Sequence, residues 1–219
     1  MMKKLGLTAL LLGAALVVAW NYVPLPGSSS WSAEELRLIR SLSIERLAAL
    51  PADPSNRVAD LPAAAEFGQR LFFDTRLSGN GSIACATCHR PELMFTDGFQ
   101  LAMGAALGPR HTPSLVGLAH SPWYYWDGRK DSQWSQALAP LEAAIEHDID
   151  RLQVARLINS DSSYRQMYNT LFGPLPVIPA TPVAASPLGD EQEQINWNSL
   201  SSAQQNEVSG VFANLGKAI

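Results

Sequence analysis

The feature that most constrains this chain is the run of residues 85–89, which reads Cys-Ala-Thr-Cys-His. Two thiols three positions apart can form thioether bonds with the two vinyl groups of a haem, while the imidazole that follows binds the iron. The motif therefore predicts one covalently attached haem c. Cys85 and Cys88 are the expected attachment points, and His89 is the expected axial iron ligand.

Other chemistries of a cysteine pair fit the sequence less well. A redox pair of the thioredoxin type is expected between a strand and a helix, and a structural zinc site needs a second pair of ligands. The sequence has only these two cysteines, so it offers no second cysteine pair for zinc. A lone disulfide or a redox pair stays open as an alternative.

The N-terminal residues have the pattern of an export signal. Lys3 and Lys4 precede an apolar run over residues 5–19. We expect this segment to be removed, and the alternative is a short membrane anchor with Trp20 and Tyr22 at the interface. The formal net charge of −4 gives no electrostatic reason to expect a nucleic-acid partner.

The rest of the chain is predicted to be mainly helical with long loops. Ser32 opens a first helix through a capping-box pattern, Pro62 starts a second, and Gly173 ends another. Residues 78–120 are dense in glycine and proline, so we expect loops and short turns that a cofactor organises. No segment shows the alternation of a strand.

Three further motifs stand in order around the cysteines. Residues 71–78 (LFFDTRLS) precede them, and residues 108–115 (GPRHTPSL) and 125–129 (YWDGR) follow. In this order the motifs closely resemble the bacterial di-haem cytochrome c peroxidase family, which includes the MauG-like enzymes that oxidise residues of a partner protein.

The resemblance implies a fold of two cytochrome c-like domains, of which this chain holds the first, peroxide-reacting one. A second haem is expected in a complete member, but the chain has no second CxxCH. We therefore expect a signal or anchor at residues 1–19, a haem domain at 20–173 and a proline-rich connector at 174–198. Residues 199–219 are expected to be the first helix of a second haem domain that is missing here, and we expect the chain to be a fragment or the product of a prematurely ended reading frame.

The resemblance also implies roles for individual residues. His89 matches the proximal iron ligand, and Trp126 matches the aromatic residue between the two haems. Gln136, Pro140 and Glu146 match the pocket that surrounds peroxide. Glu146 is the expected acid and base, because a carboxylate at the open face of the iron can move a proton between the peroxide oxygens.

Each of these residues has an ordinary structural alternative. Trp126 can be a core residue, and Gln136 and Glu146 can be solvated helix residues. Arg110 and Arg129 suit the haem propionates, since guanidinium groups pair with carboxylates, but both are equally well explained as surface arginines.

The sequence departs from the family at two places. Residues 101–107 (LAMGAAL) lack the distal histidine of other members, so a five-coordinate haem is expected, with Met103 as the competing sixth ligand. His111 stands where the family has an asparagine near a calcium ion, which makes calcium doubtful because imidazole suits calcium poorly. His120 and His147 match no motif, and we expect them to be structural or exposed.

The leading hypothesis is a periplasmic haem peroxidase that reduces hydrogen peroxide. Its electrons would come from a small redox protein or from a residue of a partner protein. A homodimer is one oligomeric state that the sequence leaves open. The alternative is a mono-haem electron-transfer module without peroxidase activity. A nonfunctional remnant is the third hypothesis, since an isolated first domain exposes the surface that would contact the second domain.

Overall fold

A computed structural model describes residues 31–50 and 52–219. The predicted signal or anchor at residues 1–19 lies outside them. The chain divides into two compact units, Met1–Ala49 and Leu50–Ile219. The α-helices of the described residues are α1 (Ala33–Ser41), α2 (Pro62–Phe72), α3 (Cys85–Cys88), α4 (Gln133–Glu142), α5 (Arg151–Ser160), α6 (Ser162–Phe172), α7 (Glu191–Ser199) and α8 (Ser202–Ala218).

Helix α1 belongs to the first unit and begins as predicted. The Glu35 backbone N–H donates to the Ser32 hydroxyl at 3.2 Å, and the Ser32 N–H donates to the Glu35 carboxylate at 2.7 Å. This reciprocal pair satisfies two of the donors that a helix start leaves open. None of the residues of α1 is buried.

The core of the second unit is made by helices α2, α4, α5, α6, α7 and α8. Pro62 occupies the first turn of α2, as predicted, and Gly173 ends α6 with φ 88°. The largest fully buried apolar side chains of this unit are Phe67, Leu71, Leu77, Leu141, Leu152, Ile158 and Leu215. The mainly helical fold is confirmed, and the described residues contain isolated β-bridges but no strand.

Helix α8 lies against α4 and also contacts α2 and α5. Its apolar face is buried through Val208, Val211, Phe212 and Leu215. At Gly68 of α2, an added Cβ would lie 1.9 Å from the Ala218 carbonyl oxygen. The structure thus packs α8 on the helical core of the second unit, and its assignment to a second domain stays a prediction.

The segment predicted as an extended connector, residues 174–198, is fastened to α5. The Arg156 guanidinium donates to the carbonyl groups of Pro179, Pro182 and Val183. The Asp150 carboxylate accepts from the Ala185 N–H at 2.9 Å. After residue 190 the structure differs from the expected extended connector, because a capping box starts α7 there. A helix can form at this point since the last proline of the segment is Pro187.

Residues 78–120 follow the prediction. Within them the structure has only the single turn of α3 and two short 3₁₀ turns, Pro91–Leu93 and Leu118–His120. None of their side chains belongs to the helical core. Within the part of the chain that is described, no helix has the length and apolar character needed to span a bilayer.

Candidate haem site

The two cysteines lie one helical turn apart on α3. The start of this turn is fixed by the Thr87 hydroxyl, which accepts the Ala84 N–H at 2.9 Å. Its end is fixed by the His89 N–H, which donates to the Cys85 carbonyl at 2.8 Å. Because side chains three positions apart share one face of a helix, Cys85 and Cys88 can react with one flat ligand.

No disulfide joins Cys85 and Cys88 in the structure. Burial raises the pKa of Cys85 to about 12, and burial also raises the pKa of Cys88. A redox-active pair needs a thiolate, which these environments disfavour. Among residues 31–50 and 52–219, no three His, Cys, Asp or Glu side chains are grouped to hold a metal ion.

One ring nitrogen of His89 makes a hydrogen bond, and the other is suited to bind iron. Its Nδ1 lies 3.0 Å from the Phe95 carbonyl oxygen, and because a carbonyl only accepts, Nδ1 must carry the proton. The lone pair therefore resides on Nε2. Burial lowers the pKa of His89, which favours the neutral imidazole that binds metals.

The loops around the cysteines expose apolar side chains that the helical core does not use. The large exposed ones between residues 93 and 126 are Leu93, Met94, Phe99, Leu101, Met103, Leu107, Val116, Trp123 and Trp126. Such a density of exposed apolar groups in one segment marks a ligand-binding or interaction surface. A porphyrin bonded to Cys85 and Cys88 supplies an apolar face of the kind that this segment lacks, so the residues present fit haem c.

Residues 103–107, where the family has its distal histidine, are docked on the backbone that carries Glu146. The Ala105 N–H donates to the Glu146 carbonyl at 2.8 Å, and the Ala106 N–H donates to the Ile145 carbonyl at 3.1 Å. A Cβ at Gly104 would lie 2.6 Å from the Ile145 carbonyl oxygen. Only glycine permits this approach, a role that the sequence pattern did not reveal.

Glu146 shares its surroundings with Tyr125, Gln136 and Arg129. Glu146 is exposed at its surface, but desolvation by the surrounding groups raises its pKa, and the positive charge of Arg129 opposes this shift. Burial also raises the pKa of Tyr125, helped by the charge of Glu146 and opposed by the Gln136 side chain. The Arg129 guanidinium lies 3.5 Å from the centre of the Tyr125 ring. The structure therefore groups two of the predicted pocket residues with a tyrosine that sequence reasoning missed.

Tyr125 adopts φ 67°, a left-handed conformation that a tyrosine rarely takes. The turn that holds it is closed by the Tyr124 N–H, which donates to the Lys130 carbonyl at 2.9 Å. Strained backbone of this kind concentrates at functional sites. The neighbouring Trp126 is 93% exposed, so the core alternative for this residue is wrong.

Pro140 and Met103 are placed differently from the pocket group. Pro140 lies inside α4, and its carbonyl accepts the His147 N–H at 3.2 Å, which ties the turn bearing Glu146 to the helix. The Met103 side chain is 54% exposed, while its carbonyl oxygen lies 3.6 Å from the Cys88 sulfur. Met103 as sixth ligand stays a prediction.

The remaining candidates are mostly on the surface. Arg110 is exposed, and Arg129 pairs with Asp127 at 2.9 Å, so propionate binding by either arginine stays a prediction. His111 and His120 are exposed. His147 is buried and donates from Nδ1 to the Leu77 carbonyl at 2.6 Å, as a structural histidine would.

Comparison with known proteins shows that the chain is similar to haem enzymes. A family model described as di-haem cytochrome c peroxidase matches residues 62–204. The methylamine utilization protein MauG of Methylorubrum extorquens is 37% identical over 127 residues, which cover 57% of this chain and 36% of that protein. Cytochrome c551 peroxidase of Nitrosomonas europaea is 32% identical over 115 residues, covering 50% of this chain and 33% of that protein.

Solved structures show the same fold. A MauG-like protein associated with microbial copper homeostasis aligns with a TM-score of 0.53 at 23% identity, over 79% of this chain and 44% of that one. The diheme peroxidase BthA of Burkholderia thailandensis aligns with a TM-score of 0.53 at 19% identity, over 78% and 38%. This chain thus spans less than half of the length of these proteins.

Proposed function

Because the chain belongs to the di-haem cytochrome c peroxidase family, we propose that it forms the unit in which such an enzyme reduces hydrogen peroxide. The family implies covalently bound haem c, and the residues around α3 suit it. Cys85 and Cys88 would hold the porphyrin, and His89 would bind the iron through Nε2. The bound haem supplies the iron at which the O–O bond of peroxide is cleaved.

Glu146 is the residue that we propose to handle protons. Its carboxylate would take the proton from the inner peroxide oxygen and return it to the outer oxygen, which then leaves as water. A carboxyl group does this best when its pKa approaches the working pH, and desolvation moves the pKa of Glu146 in that direction. The grouping of this carboxyl group, whose pKa is raised, with Tyr125 and Arg129 is the observation that carries the proposal.

The test uses the haem-loaded chain and its Glu146→Gln variant. We expect a high-spin ferric spectrum in both proteins and reaction with one equivalent of peroxide in the parent. The variant should react about 100-fold or more slowly, which is the usual contribution of general acid–base catalysis. Glu66→Gln is the matched control, because Glu66 is exposed on α2 and pairs only with Arg70. Equal rates in all three proteins would contradict the role of Glu146.

Electron transfer without peroxide chemistry is the second candidate, favoured by the position of Met103 beside Cys88. It requires a low-spin iron with the Met103 sulfur as sixth ligand. Met103→Ala would then convert the spectrum to high spin. Under the peroxidase proposal this substitution leaves the spin state unchanged.

We further propose that the protein is exported to the periplasm, with residues 1–19 as signal or anchor. Electrons would arrive from a small redox protein or from a residue of a partner protein through the exposed Trp126. Reduction of one peroxide to two waters consumes two electrons and two protons, so a donor is required. Export can be tested by fractionating cells that express the whole chain with its own N-terminus.

A further inference from the structure

Asp97 is a buried carboxylate that the proposed reaction does not use. Its side chain is 5% exposed. One oxygen accepts the Phe99 N–H at 3.0 Å, and the other accepts the Thr112 hydroxyl at 2.8 Å. Both partners act as donors, which is the arrangement that an ionised carboxylate needs.

The backbone places Asp97 directly after the segment that holds the His89 ring. The Phe95 N–H donates to the Arg90 carbonyl at 2.9 Å, and the Arg90 N–H donates to the Thr96 carbonyl at 3.2 Å. This tight turn brings the Phe95 carbonyl to His89 and leaves Asp97 at its end. Burial lowers the pKa of His89 and raises that of Cys88, and the negative charge of Asp97 acts upward on both, so it bears on two of the three residues that would hold the haem.

No cation neutralises this charge within residues 31–50 and 52–219. The nearest arginine in sequence, Arg90, pairs with Glu92 at 2.7 Å, and no ion pair of the described residues includes Asp97. A buried charge that is not neutralised acts strongly on its neighbours, because the protein interior screens it less than water does. Such a charge favours the oxidised, more positive state of a nearby iron.

We propose that the buried Asp97 carboxylate, held beside the His89 loop by Thr112 and Phe99, lowers the reduction potential of the haem. Asp97 is a positioning residue in this role, because its negative charge acts on the iron electrostatically, through its effect on His89. A lower potential favours the ferric resting state. The inference rests on haem attachment and is independent of peroxide reduction.

The test is a spectroelectrochemical titration of the haem-loaded Asp97→Asn variant in the absence of peroxide. An asparagine keeps both hydrogen bonds, since its oxygen accepts from Phe99 and its nitrogen donates to the Thr112 oxygen, while the charge is lost. We expect a midpoint potential more positive than that of the parent, with an unchanged spin state. Asp127→Asn removes an exposed charge paired with Arg129 and should shift the potential less.

Thr112→Val provides a second, independent measurement if the asparagine variant fails to bind haem. It removes the hydroxyl that partly balances the Asp97 charge, so we expect a more negative potential. An Asp97→Asn potential equal to that of Asp127→Asn would overturn the proposal. A positive shift or no shift in Thr112→Val would do the same, because the charge would then not control the potential.

Discussion

Replacement of Gly68 by alanine tests the close crossing of α2 and α8. The added Cβ would lie 1.9 Å from the Ala218 carbonyl oxygen, whereas ordinary contact begins at 3.4 Å. The two helices must therefore separate by about 1.5 Å, which exposes part of the interface that buries Phe67 and Leu215. Overpacking against backbone of this kind costs up to about 3 kcal/mol.

The same substitution also improves helix propensity by about 1 kcal/mol, so the net loss of unfolding free energy should be about 2 kcal/mol. For a unit of this size that lowers the Tm by roughly 4–8 °C. Gly210→Ala is the matched control in α8, because an added Cβ there meets nothing within 4 Å. It gains the propensity alone and should raise the Tm by roughly 2–4 °C.

The assay is thermal unfolding of the haem-loaded parent and both variants, followed by circular dichroism at 222 nm, the usual helix signal. Opposite signs of the two Tm shifts would support the crossing, because both variants carry the same Gly→Ala change. Equal upward shifts would refute it. That outcome would mean that the α8 backbone does not contact Gly68 closely in solution.

Three further outcomes are expected from the site. The rate of peroxide consumption should fall on acidification, with a midpoint above the ordinary glutamate pKa of 4.5. The reason is that Glu146 acts as a base only when deprotonated, and desolvation raises its pKa. A stopped-flow pH profile measures this midpoint. Gly104→Ala should slow the same reaction without changing the haem spectrum, since its Cβ would push Glu146 aside, and an unchanged rate would show that the contact is unimportant. Trp126→Phe should slow electron delivery from a reduced donor while leaving peroxide binding intact, which single-turnover and steady-state rates separate.

The proximal half of the site could be predicted from the sequence because it is local. Cys85, Cys88 and His89 lie within five residues, and one helical turn is enough to align them. The starts of α1 and α2 were predictable for the same reason, since capping and proline preferences act over a single turn.

The distal half depends on contacts between distant segments, which periodicity and spacing do not encode. Gly104 is required because residues 103–107 lie on the backbone of Glu146, about forty positions later. Tyr125 lies near Glu146 because of a left-handed turn, although tyrosine has no preference for that conformation. The family resemblance supplied Gln136 and Glu146 as candidates, but only the fold shows what surrounds them.

Helix α8 illustrates the same limit for the fold. The apolar spacing of Val208, Val211 and Leu215 predicts an amphipathic helix, but such spacing does not identify the surface that the apolar face covers. In the structure that surface is α4 together with α5 and α2, and the Lys217 ammonium group at the end of α8 lies 5.1 Å from the Trp134 ring centre. Since α4 leads into the turn that carries Glu146, α8 supports the proposed catalytic carboxylate through the helix on which that turn depends. Loosening of α8 should therefore affect the peroxide reaction before it affects the haem attachment at α3, because α3 is not among the helices that pack closely on α8.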